Sequence, residues 1–161
     1  MSMKIDQQAG FALVEALVAA AMLSTILAFS VSAYLLSAQI ATSNGAGVEA
    51  AFLADEGVDA VRVLRDKSWS TNIATLSVGT TYHLAWSGST WNATTTDSYI
   101  DTIFERSFIL SDVYRDGNSD IAASGTLDSN TKKVTVNVSW FQKGATTTRS
   151  FTVYITNFLK N

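Results

Sequence analysis

Between Gln7 and Val48 the chain carries one charged residue, Glu15, and the run from Phe11 to Ile40 reads FALVEALVAAAMLSTILAFSVSAYLLSAQI. A bilayer core needs about 20 mostly apolar residues in helical form, and this run exceeds that. It contains no Gly or Pro and many Ala and Leu, so nothing in it interrupts a helix. The pattern predicts a hydrophobic helix able to span a membrane. Past Ser43-Asn44-Gly45-Ala46-Gly47 the apolar positions become one-sided. Ala50, Leu53, Ala54, Val58, Val61 and Leu64 recur at three- and four-residue spacing, with Asp55, Asp59, Arg62 and Asp66 on the opposite face. One long helix over 11–66 is therefore expected, apolar in its first half and amphipathic in its second. At ~1.5 Å per residue it would run on the order of 80 Å. Gly45 and Gly47, each costing ~1 kcal/mol against Ala, are the expected point of bending or melting.

From Ser68 onward the pattern changes period. Ser and Thr dominate, and β-branched and aromatic residues alternate with polar ones. Tyr82–Trp86 reads as a short strand and Tyr99–Leu110 as a longer one. Lys133–Trp140 alternates strictly, placing Val134, Val136, Val138 and Trp140 on one face. Gln142-Lys143-Gly144-Ala145 supplies a turn, and Arg149–Leu159 returns with Phe151, Val153 and Ile155 on one side, an antiparallel hairpin. The expected fold class is α+β: a long N-terminal helix whose amphipathic half packs on a small antiparallel sheet formed by residues 67–161.

Composition narrows the chemistry. The 161 residues include no Cys, no Pro and a single His, His83. Disulfides, thiolate metal sites and thiol nucleophiles are excluded, and a Ser-His-Asp triad would depend on His83 alone. Charged residues are 16% of the chain, against roughly 25% in ordinary soluble domains. That deficit lies almost wholly in the apolar helix. A formal charge of −3 gives no bulk electrostatic attraction for nucleic acid. With one His, no Cys and no clustered carboxylates, an enzyme is not expected.

The leader MSMKIDQQAG is short, polar and nearly neutral, unlike a secretory signal's basic start, although Val31-Ser32-Ala33 offers a small-x-small cleavage site. Glu15 fits the start of a helix, where the macrodipole favours a negative charge. In hydrocarbon it needs a partner or the interface. Gly10-Phe11-Ala12-Leu13-Val14-Glu15, opening a long uncharged helix, resembles the class III leader of type IV pilins and type II secretion pseudopilins. The resemblance implies a leader over residues 1–10 and cleavage between Gly10 and Phe11 by a prepilin peptidase that also N-methylates Phe11. It places Glu15 at the family's acidic fifth position, where it would meet the freed amine of a neighbouring subunit during filament assembly. Ala12, Ala16, Ala19 and Ala20 would permit close helix approach. Leu53–Arg62, Lys132–Trp140 and Arg149–Asn161 look most like minor pilins of the PilV type. The helix-breaking Pro and C-terminal disulfide loop of many major pilins are missing.

The function this implies is a structural subunit, most like a minor pilin. It is anchored in the inner membrane by residues 11–40 with the β-rich head outside, then lifted into an extracellular filament by an assembly platform and ATPase. Its partners would be other pilin subunits and membrane lipid. A secretion or competence pseudopilin and a major pilin share the same N-terminal physics. A reading of a different class is a membrane-anchored or secreted module whose aromatic, Ser/Thr-rich sheet binds a carbohydrate or protein.

Other residues invite chemistry beside a plainer reading. Asp116, Asn118 and Asp120 alternate oxygen ligands as a calcium loop does, yet Ile121 stands at the glycine position and Leu127 at the twelfth. The same residues suit an exposed turn. His83 is a catalytic-base candidate or an ordinary sheet histidine. Trp69, Trp86, Trp91 and Trp140 could form a binding face or the core. Lys132, Lys133, Lys143 and Arg149 could touch DNA or a neighbouring subunit, or shield an edge strand. Asn92-Ala93-Thr94 matches a glycosylation sequon.

Overall fold

A computed structural model of the chain describes residues 6–142 and 144–160. Residues 1–5 of the expected leader, and Lys143 of the expected turn and basic cluster, lie outside the described residues. The chain divides into two compact units at Gly45/Ala46. Helix α1 (Asp6–Lys67) contributes to both. It begins ahead of Phe11, so the Gly10–Phe11 bond lies inside the helix. The helix also continues through Gly45 and Gly47, where bending or melting was expected.

In the first unit the apolar side chains project on all sides. Phe11, Leu17, Leu23, Leu27, Phe29 and Leu36 are all exposed, and none of the most apolar window is buried. A helix that is apolar all round is built for an apolar surrounding, and this one is long and apolar enough to cross a membrane. Five of its hydroxyls are accommodated accordingly. Ser24 Oγ donates to the Ala21 carbonyl, Thr25 to Met22, Ser30 to Ile26, Ser32 to Ala28 and Thr42 to Ala38. Each polar hydrogen thus meets an acceptor one turn back, which lowers the cost of carrying it into lipid.

In the second unit the one-sided stripe finds its partner. Ala50, Ala54, Val58, Val61 and Leu64 are buried, Leu53 partly, while Asp55, Asp59, Arg62 and Asp66 stay exposed. The short helix α2 (Trp69–Asn72) follows, capped by Ser68, whose Oγ accepts from Thr71 N at 3.3 Å. The strands are β1 (Thr81–Trp86), β2 (Trp91–Thr94), β3 (Tyr99–Ile100), β4 (Phe104–Arg115), β5 (Ile121–Ala122), β6 (Thr126–Gln142) and β7 (Ala145–Thr156). They form one seven-stranded antiparallel sheet in the order β2-β1-β4-β6-β7, with β3 and β5 also on β4.

Register sorts the sheet into two faces. Tyr82 pairs with Phe108, Phe108 with Val136 and Val136 with Phe151, a row across four strands. This is the face against α1. Approach is closest at Gly57, where an added Cβ would stand 2.8 Å from Val136 Cγ1 and 3.0 Å from Arg106 Cδ. The opposite face carries His83, Ser107, Asn137 and Ser150 in the matching row.

The expected hairpin forms, closed by the Gln142–Ala145 pair with Gly144 at φ +81°, a turn geometry natural to glycine. The strand expected over Tyr99–Leu110 is divided. Asp101 and Thr102 take positive φ values of 50° and 61° and turn the chain between β3 and β4, which then pair with each other. The last strand begins at Ala145 and ends at Thr156, earlier at both ends than Arg149–Leu159.

Candidate functional sites

In the first unit Phe11, Val14, Glu15, Val18, Ala19 and Met22 line one shallow face of α1. Glu15 is the lone carboxylate in an apolar strip, because three- and four-residue spacing stacks these positions on one side of the helix. Nothing lies within 4 Å of a Cβ built at Gly10. The expected processing and assembly residues Gly10, Phe11 and Glu15 thus lie on consecutive turns of one exposed helix.

In the second unit a charged residue sits inside the core face. Arg106, near the start of β4, is buried and points toward α1. Its Nη1 donates to Glu56 Oε2 at 2.7 Å and to the Leu53 carbonyl at 3.1 Å, and its guanidinium lies 5.1 Å over the Trp91 ring. The half-exposed Glu56 leaves one flank in water, which moderates the desolvation cost of the buried cation. Glu56, Trp86, Trp91, Ile100 and Arg106 border a cleft of about 380 Å³. Trp86 and Trp91 meet edge to face at 5.3 Å, with Trp86 largely exposed. Trp69 and Trp140 are buried, so the tryptophans divide between core and surface.

His83 is buried under the loop that joins β2 to β3. Its Nε2 stands 3.2 Å from Asp97 Oδ1 and 4.0 Å from Glu105 Oε1. The ligand atoms of the three residues all lie within 4.8 Å of one another. Asp97 comes from the loop, and Glu105 from β4, two residues from the Ser107 that pairs with His83. Neither residue stands near His83 in sequence at any metal-ligand spacing. Only strand register could have joined Glu105 to it, and nothing local pointed to Asp97.

The Asp116–Asp120 segment is an exposed turn. Asp116 Oδ1 accepts from Asn118 N at 2.9 Å and Asp120 N at 3.0 Å, and Arg115 Nη1 donates to the Ser119 carbonyl at 2.8 Å. Any cation held by Asp116, Asn118 and Asp120 would compete with these backbone bonds. Nearby, Arg115 Nε donates to Asp128 Oδ2 at 2.7 Å. That bond, with a further one from Thr131, holds the Asp128 carboxyl below its ordinary value.

The basic cluster is partly committed. Lys132 Nζ reaches Asp112 Oδ1 at 2.6 Å across β4 and β6. Arg149 is exposed on the edge strand β7, on the register row of Val138. Asn92 of the sequon is exposed on the edge strand β2.

Comparison of the chain with protein-family models, with curated proteins and with solved structures finds no match.

Proposed function

We propose that this chain is a structural subunit of a type IV pilus, most like a minor pilin, made as a membrane-anchored precursor and assembled through its N-terminal helix. The observation that carries the reading is Glu15, one carboxylate on an exposed apolar helix directly after Gly10-Phe11. A helix meant only to anchor gains nothing from a charge that costs several kcal/mol in hydrocarbon unless it is paired. A neighbouring subunit whose chain begins at Phe11 supplies that partner, a free amine at the same membrane depth. Pairing then reports axial register as subunits add, because a shifted neighbour leaves both charges unmatched.

In this reading residues 1–10 are removed, Phe11 is N-methylated, residues 11–40 hold first lipid and then the filament core, and the sheet faces outward. A secretion or competence pseudopilin would use the same helix in the same way.

The test is intact mass and N-terminal sequencing of the membrane-fraction protein, with filament incorporation of variants. A chain starting at N-methyl Phe11 is expected, and Gly10→Val and Glu15→Val should abolish incorporation. An uncut chain in which both variants behave as wild type would sink the proposal. That outcome would favour an anchored binding module, for which the cleft beside Trp86 is the natural binding surface.

A further inference from the structure

We propose that His83, Asp97 and Glu105 form a binding site for a divalent transition-metal ion of the zinc class, which pins the β2–β3 loop to the outer face of the sheet. The donor set comes first. One imidazole nitrogen and two carboxylate oxygens suit zinc or manganese, whereas calcium and magnesium take oxygen alone. The spacing agrees. A tetrahedral ion with bonds of ~2.0–2.2 Å keeps its ligand atoms roughly 3.3 Å apart. His83 Nε2 is 3.2 Å from Asp97 Oδ1 and 4.0 Å from Glu105 Oε1.

Support for the ligands is graded in a useful way. His83 and Glu105 stand on neighbouring paired strands, which fixes two ligands rigidly on one face. Asp97 sits in the loop with its side chain 73% exposed and already 3.2 Å from His83 Nε2, so the open side of the site leaves a coordination position for water.

The histidine is fixed by burial, with Nε2 turned toward the carboxylates and Nδ1 on the far side of the ring. Its side chain is only 4% exposed, and its Nδ1 is buried with no hydrogen-bond partner among the described residues. The ring's orientation is therefore set by what Nε2 meets. A proton on Nε2 answers the carboxylate at 3.2 Å and leaves Glu105 at 4.0 Å with its charge uncompensated by the ring. A divalent ion at the centre answers both carboxylates at once and accepts the imidazole lone pair.

The test uses the full chain, purified in detergent without a polyhistidine tag, stripped with EDTA and dialysed. Zinc, manganese and calcium salts are then added separately, with calorimetric titration, elemental analysis and thermal melting as readouts. One equivalent of zinc per chain is expected at micromolar affinity or tighter, with a raised Tm. Asp97→Asn and Glu105→Gln should each weaken binding at least tenfold. Asp97→Asn keeps an oxygen on an exposed loop side chain to accept from His83 Nε2, so it should still fold, and the experiment stands even if His83→Gln does not. Zinc binding that is substoichiometric, or unchanged in Asp97→Asn, overturns the proposal. So does a Tm that ignores zinc, or a response to calcium alone.

Discussion

Gly57 is the residue on which the closeness of helix and sheet depends. Replacing a helical glycine by alanine ordinarily gains about 0.5–1 kcal/mol from backbone entropy. At Gly57 the added methyl meets Val136 Cγ1 at 2.8 Å, and overpacking of that kind costs about 1–3 kcal/mol. The expected result for Gly57→Ala is a net loss of about 1–2 kcal/mol in a denaturant melt. Gly45→Ala should do the opposite, since nothing lies within 4 Å of its added Cβ, and helicity by circular dichroism should rise. Asp128 sets a different kind of test. Its carboxyl is held low chiefly by the hydrogen bond from Arg115, so it contributes stability above its ordinary value near ~3.9. That contribution is lost as pH falls through the lowered folded value. Asp128→Asn should lower Tm at pH 7 by the equivalent of up to about 1 kcal/mol. The two proteins should converge as pH falls through that lowered value. A Tm gap that persists below it would mean the aspartate acts by shape rather than charge.

Arg106 joins α1 to β4, and its pairing is lopsided: the cation is buried and the carboxylate of Glu56 is half in water. Removing the exposed partner strands a charge in the core, while removing the buried one returns a carboxylate to solvent. Glu56→Ala is therefore expected to destabilise by more than Arg106→Met, which keeps the apolar stem that packs near Gly57. Reversal of that order, measured by denaturant melts of both variants, would show that the guanidinium is held by Trp91 and the Leu53 carbonyl rather than by Glu56. Such elements were unequally legible in the sequence. The stripe from Ala50 to Leu64 and the alternation from Val134 to Trp140 are strong because each element buries one whole face. Tyr99–Leu110 read as one strand because Asp101-Thr102 carries no glycine, yet both residues adopt the left-handed turn that pairs β3 with β4. Arg106 was hidden for a related reason, since a charge at a core-facing position of β4 breaks the period that makes strands readable. The metal-ligand triad was the least legible. His83 and Glu105 meet through strand pairing, and Asp97 arrives through a loop whose course no local pattern encodes.

At the scale of the whole chain, the two units pose opposite solvent problems. The second hides its apolar residues in a helix–sheet core. The first exposes its apolar residues, among those described, and turns the hydroxyls of Ser24, Ser30 and Thr42 onto its own backbone. Lipid solves the first unit's problem for any such helix, while Glu15 still needs a charged partner or the interface. Two substitutions separate these demands. Ile26→Lys places a charge near the middle of the apolar run, where insertion costs about 2.5–3.5 kcal/mol, so retention in carbonate-washed membranes should fall. Glu15→Leu removes a charge from the same surface, so retention should hold or rise. If Glu15 serves assembly, Glu15→Leu must nonetheless be missing from sheared filaments although it is abundant in the membrane. A variant that is both well retained and normally incorporated would show that assembly does not need the Glu15 carboxylate. Incorporation restored by Glu15→Asp but not by Glu15→Gln would tie assembly to the carboxylate's charge rather than to its hydrogen bonding.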